Sequence, residues 1–146
     1  MDDKTILQYY GHDHDRLDQL LEEYHRLKDT DLPAARERFA EFREGLERHI
    51  AWEEDILFPE FERKTGQRDT GPTAVMRFEH RQIQLKLAAI AGLLDQNDPG
   101  TDAEEEMLHE LLGMHNYKEE NILYPAIDGQ ITPGERARIF ADMGTH

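Results

Sequence analysis

The sequence has no cysteine, a single tryptophan, and only 17 basic residues against 32 acidic ones. The missing thiols exclude disulfides, zinc–thiolate and iron–sulfur ligation, and a cysteine nucleophile. A net charge of −15 repels phosphate backbones and anionic lipid, so neither nucleic acid nor membrane is an expected partner. No stretch approaches the roughly 20 apolar residues of a membrane span. The start, Met1-Asp2-Asp3-Lys4-Thr5, is acidic and leads into no apolar run, so no signal peptide is read there. The expectation is a soluble cytoplasmic protein. No nucleophile elbow or phosphate-binding glycine loop is present. Six prolines and ten glycines leave long uninterrupted segments rich in Glu, Leu, Ala, Arg and Lys, which favour helices over strands. A chain of 146 residues is most simply one domain, residues 1–146.

Four apolar stripes run through these segments at alternating spacings of three and four, the period of a helix face. The first holds Leu7, Tyr10, His14, Leu17, Leu21 and Tyr24, predicting a helix over 5–28. The second, over 33–64, holds Phe39, Phe42, Leu46, His49, Glu53 and Ile56. The third, over 73–95, holds Met76, His80, Ile83, Leu87, Ile90 and Leu94; the fourth, over 102–126, holds Leu108, Leu112, His115, Glu119, Ile122 and Ala126. Asp31 and Pro33 suit a helix start. Pro59 lacks an N–H, so a kink or early end is expected there. Residues 66–72 read as a loop and 97–100 as a turn. Thr132 and Glu135 form a capping-box pattern before a short helix over 133–143, whose Phe140 and Met143 are expected to cover one end.

One pattern occurs twice, as His49-Ile-Ala-Trp-Glu53-Glu-Asp-Ile-Leu-Phe-Pro59 and His115-Asn-Tyr-Lys-Glu119-Glu-Asn-Ile-Leu-Tyr-Pro125. The copies are 66 positions apart, and so are His14 and His80. The chain therefore reads as two repeated helical hairpins, about 5–65 and 71–127. The expected fold is all-α, an antiparallel up-down-up-down four-helix bundle with a short C-terminal helix.

His and Glu four apart share one helix face. A lone buried His is ordinarily a hydrogen-bonded core residue, but an unpaired buried carboxylate costs several kcal/mol and must be neutral, paired or bound to a cation. Here the same two residue types interrupt the stripes at every repeat-related position, with no Lys or Arg among them. His14, His49, Glu53, His80, His115 and Glu119 are thus candidate ligands of a two-metal site. Glu54 and Glu120 lie about 140° further round from their His and are expected outside the ligand set or facing solvent. Tyr117 and Tyr124 are candidate hydrogen-bond donors near the site. Tyr10 and Tyr24 are assigned to core packing, and His12, His25, His109 and His146 to the surface. The run Glu104-Glu105-Glu106 complements a helix start.

This order of His and His-x-x-x-Glu motifs, spanning about residues 5–127, resembles the hemerythrin-like family in its HHE cation-binding branch. The resemblance implies a non-haem di-iron centre with His14, His49, His80 and His115 as terminal ligands and Glu53 and Glu119 bridging. Zinc or manganese would be substitutes in isolated protein. It also implies a small diatomic ligand, oxygen or nitric oxide, and a role in binding or sensing oxygen, redox state or iron. A di-iron oxidase or peroxidase and an iron storage or repair protein are the alternatives, so enzymatic activity is left open, as is a homo-oligomer. The sequence departs from oxygen-carrying hemerythrins at Gln84, where they have a second His, and at Glu119, which comes one residue sooner than their Asp. Glu120 holds that Asp spacing. The repair relatives' Cys-bearing N-terminal segment has no counterpart here.

Overall fold

The structure, a computed structural model, describes residues 4–146, and every described regular element is helical. The acidic start Met1-Asp2-Asp3 lies outside the described residues. Helix α1 (Ile6–Leu27) opens with a capping box in which Thr5 and Gln8 satisfy each other's backbone N–H groups. Asp128 adds a second cap from far along the chain, accepting from the N–H groups of Ile6 at 2.8 Å and Leu7 at 3.1 Å. Asp31 caps α2 (Leu32–Trp52), with Pro33 in the first turn, where a missing N–H costs nothing. Helix α3 (Phe58–Thr65) stops at Gly66, whose φ of +74° is a left-handed cap that suits glycine. Then follow α4 (Pro72–Asp95), α5 (Asp102–Lys118), α6 (Tyr124–Gln130) and α7 (Pro133–Met143), the last opened by the expected Thr132/Glu135 capping box.

The expected kink at Pro59 takes a different form. Glu53–Leu57 and Glu119–Leu123 are each one turn of π-helix, joining α2 to α3 and α5 to α6. The N–H of Phe58 reaches back five residues to the Glu53 carbonyl, and Tyr124 does the same to Glu119. Widening the turn lets the chain pass the proline without ending the helix. The helix predicted to stop near 126 therefore continues to Gln130. In the first copy the Glu54 carbonyl has lost its usual partner to the wide turn, and Pro59 has no N–H to offer. Arg77 of α4 donates to it instead, at 3.2 Å.

Packing follows the four stripes as far as the π turns, where the extra residue shifts the phase by one: Ile122 and Ala126, predicted on the core face, are exposed and Leu123 and Ile127 are buried instead, while Ile56 gives way to Leu57. Neighbouring helices meet in reversed order: Asp13 with His49 and Tyr24 with Phe39 between α1 and α2, and Glu79 with His115 and Lys86 with Glu104 between α4 and α5. The core has two parts. One gathers Leu17, Leu21, Phe42, Leu46, Ile83, Leu87 and Leu108. The other gathers Ile6, Tyr10, Phe58, Met76, Tyr124, Ile127 and, from α7, Ile139 and Met143. Met143 and Phe140 thus close one end as expected, Met143 also taking a hydrogen bond from the Tyr10 hydroxyl at 3.2 Å. Each large apolar side chain buried this way contributes about 1.5–3 kcal/mol. Along every long helix the His and Glu positions fall between the two apolar clusters, so hydrocarbon seals a polar layer from both ends.

A candidate two-metal centre

The six predicted residues converge. His14 comes from α1, His49 from α2, His80 from α4 and His115 from α5, while Glu53 and Glu119 open the two π turns. All six are buried. Donor atoms of His14, His49, Glu53 and Glu119 lie within 4.8 Å of one another, as do those of Glu53, His80, His115 and Glu119. The two groups share both carboxylates. Glu53 faces His80 Nε2 with one oxygen at 2.9 Å and His49 Nε2 with the other at 3.3 Å. Glu119 does the same for His14 at 3.1 Å and His115 at 3.3 Å. This spanning arrangement is what a pair of bridging carboxylates requires.

The outward nitrogen of each imidazole is held as well. Nδ1–H donates to Glu120 from His14 (2.6 Å), to Asp13 from His49 (2.9 Å), to Glu54 from His80 (2.6 Å) and to Glu79 from His115 (2.8 Å). With Nδ1 held by an acid on the outside, each Nε2 faces inward, the nitrogen that a metal would take in exchange for its proton. Glu54 and Glu120 lie on the outer side of the imidazoles and in neither buried donor group. Asp13 and Glu79 are missed by the stripe pattern. The signal for them is an acid immediately before His14 and His80, repeated at the same offset. Arg16 steadies Asp13 at 2.9 Å, Arg81 holds Glu54 and Lys118 holds Glu79. Among the described residues Glu120 has no such cation. Its side chain is 35% exposed, against 16% for Glu54.

Tyr124 belongs to the site, whereas Tyr117 is exposed. The buried Tyr124 hydroxyl donates to Glu53 and lies 3.0 Å from Glu119, with His49 Nε2 at 3.2 Å and His14 Nε2 at 3.3 Å. Its repeat counterpart, Phe58, stacks flat on His80 at 5.9 Å between ring centres. Tyr10 and Tyr24 pack in the core as assigned.

Electrostatics tie the layer together. Burial opposes charge on His14, but hydrogen bonds to Glu119 and Glu120 outweigh it and hold its pKa at about 10. Burial likewise opposes charge on His80, and Glu53 and Glu54 raise it to about 9. His49 and His115 are also raised against burial, chiefly by the charges of Glu53 and Glu119. Burial works against the Glu53 carboxylate, yet the His49 charge keeps its pKa well below the usual range. Burial and the Glu119 and Glu53 charges push the Tyr124 phenol well above its usual value.

Metal-free, the layer is held by protons shared between imidazoles and acids, and the sharing is incomplete: Glu119 Oε2 is fully buried with no hydrogen bond. Four inward imidazoles and two spanning carboxylates, one with an orphaned oxygen, fit a pair of nitrogen- and oxygen-loving cations.

A helical bundle with a buried layer of four His and two Glu that could hold metal is the class these observations define. The chain belongs to the hemerythrin family: the hemerythrin HHE cation-binding domain matches residues 5–138. It is similar to the iron–sulfur cluster repair protein YtfE of Edwardsiella ictaluri (strain 93-146), 34% identical over a 99-residue alignment covering 61% of this chain and 44% of that protein. The shared stretch thus spans under half of that relative's length. No solved structure matches the chain significantly. Among the described residues no helix is long and apolar enough to cross a membrane.

Proposed function

We propose that the chain is a cytoplasmic, non-haem di-iron protein that binds or senses a small ligand, oxygen or nitric oxide. The observation that carries this is the sharing of Glu53 and Glu119 between two donor groups, each completed by two imidazoles. His14 and His49 would hold one ion, His80 and His115 the other, with Glu53 and Glu119 shared between them. Bound iron would supply a redox-active Lewis acid able to take a small ligand. The chain's own residues orient the donors. Asp13, Glu54, Glu79 and Glu120 fix the imidazole tautomers, Tyr124 directs its proton at the bridging acids, and the apolar clusters exclude bulk water. The reversed contact order between neighbouring helices supports the antiparallel up-down-up-down arrangement expected from the two hairpins.

A second reading, iron–sulfur cluster repair, is favoured by the likeness to the repair protein. Metal analysis and an optical spectrum of protein made in iron-replete cells test the first step. Two irons per chain and a spectrum that responds to azide or nitric oxide are expected. An iron-loaded spectrum indifferent to both, together with iron transfer to an apo-cluster acceptor, would overturn ligand sensing in favour of repair.

A further inference from the structure

Among the described residues the exposed large apolar side chains all belong to the second hairpin, and five of the seven, Val75, Phe78, Leu85, Met107 and Met114, cluster on α4 and the flank of α5 beside it. On α4, Val75, Phe78, Gln82, Leu85, Ala89 and Gly92 recur at spacings of three and four, a second stripe opposite the one that faces the core. On α5, Met107 and Met114 share a flank with Glu104 and Lys118, the residues that pair with Lys86 and Glu79 of α4. They therefore border the same outer face. Phe78 is 64% and Leu85 71% exposed.

The repeat supplies an internal control. Shifted by 66 positions, the α4 stripe becomes Tyr9, His12, Arg16, Gln19, Glu23 and Arg26 on α1, and the two methionines become Glu41 and Arg48 on α2. Only Tyr9 is apolar, and it is half-buried against Trp52 and Phe140. The hairpin architecture places no apolar demand on these positions, since the first copy builds it with polar residues. The second copy's hydrocarbon answers to something outside the chain.

We infer that this face docks a second copy of the chain, α4 against α4 of the partner in antiparallel register about a twofold axis. The stripe is self-complementary in shape: its bulky half, Val75 and Phe78, would lie against the partner's small half, Gly92 and Ala89. There is open space beside Gly92 to receive a side chain. Charge points the same way. In a chain of net charge −15, α4 carries Arg77, Arg81 and Lys86 against only Glu79 and Asp95, so here a second copy meets far less of the acidic repulsion that the rest of the chain would present. From Val75 to Gly92 the stripe runs about 26 Å. With the α5 methionines alongside, it approaches the ~800 Å² per partner of a standard interface. The pairing is isologous, so it closes at two copies.

Sedimentation of the intact protein over a range of concentrations should show association to twice the 17.1 kDa chain mass. The double variant Phe78→Glu, Leu85→Glu should return it to the monomer with an unchanged helical spectrum. Because the chain lacks cysteine, Phe78→Cys with Ala89→Cys should form an inter-chain disulfide, the two positions being too far apart on one helix to pair within a chain. A protein monomeric at every concentration overturns the proposal and leaves the face to a different protein. A dimer that survives the glutamates, or one that does not cross-link through the cysteines, overturns this face or this register.

Discussion

The two hairpins repeat most closely where they touch the cage and diverge where they meet solvent. Around His80, Arg81 holds Glu54, Arg77 fills the gap at the Glu54 carbonyl, and Phe58 lies flat on the imidazole. Around His14 the equivalent positions of Arg77 and Arg81 are Gly11 and Asp15. Nothing lies within 4 Å of where a Gly11 side chain would begin. A cleft of about 290 Å³ lies between α1 and α5, lined by Asp15, Asp18, Asn116, Asn121 and Glu120, the acid that holds His14. One side of the cage is shut by cations and the other is open and acidic. Ligand geometry is therefore set by the repeat, and access by its differences.

The sharpest break in the symmetry is between shared and unshared donors. Glu53→Ala removes a residue from both donor groups and should take metal content from two ions per chain towards none, by elemental analysis. His14→Ala or His80→Ala removes one donor from one group and should leave close to one ion. Next come the outer acids. Glu54→Gln and Glu120→Gln each weaken the hold on a tautomer and should lower metal affinity about 10–100-fold, measured by chelator competition. The loss should be larger for Glu54, whose removal also leaves Arg81 without its partner.

pH separates the metal-free from the loaded protein. His14 and His80 titrate near 10 and 9 when folded, above the ordinary 6.5. Their pairing therefore stabilises the metal-free fold fully below about 6.5 and is lost as pH rises through 9–10. The depressed Glu53 works in the opposite sense, its contribution present above the ordinary 4.5 and lost as pH falls through its lowered value. Melting temperatures of metal-free protein should fall above pH 9. Loaded protein should lose its ions towards acid, because protons compete for Nε2. The smallest effect concerns the entrance. Gly11→Arg with Asp15→Arg copies the shut side onto the open one and should slow metal removal by a chelator several-fold, leaving the final stoichiometry unchanged.

Much of this was legible in the sequence, and the reasons are physical. Helical periodicity exposes a polar residue on an apolar stripe, so His14, Glu53 and their four companions were visible without coordinates. Asp13 and Glu79 were harder, because an acid one step from a stripe looks like any solvated residue until a neighbouring helix brings His49 or His115 against it. The π turns left only a slip of one residue in the stripes, with Leu57 and Leu123 buried where Ile56 and Ile122 were expected. A shift from four-residue to five-residue hydrogen bonding changes no residue type, and Pro59 warned of a disturbance without giving its form. The unequal entrances depend on which residue of α4 or α1 meets the wide turn, a pairing across the two halves that spacing along one helix does not contain.

The wide turns also set where a change of length does least and most to the cage. Each holds one residue more than ordinary winding would, and the surplus is absorbed within the turn, because Phe58 bonds the Glu53 carbonyl that the residue before it would reach in an α-helix. Deleting a single residue between Glu54 and Phe58 would restore four-residue bonding and leave Phe58 and Phe61 close to their places. The cost would be local: Pro59 would stand four residues after Glu54 and press its ring on that carbonyl. The same deletion one turn earlier, in the regular winding of α2, would swing the segment after it by about 100° and carry Glu53 out of the cage.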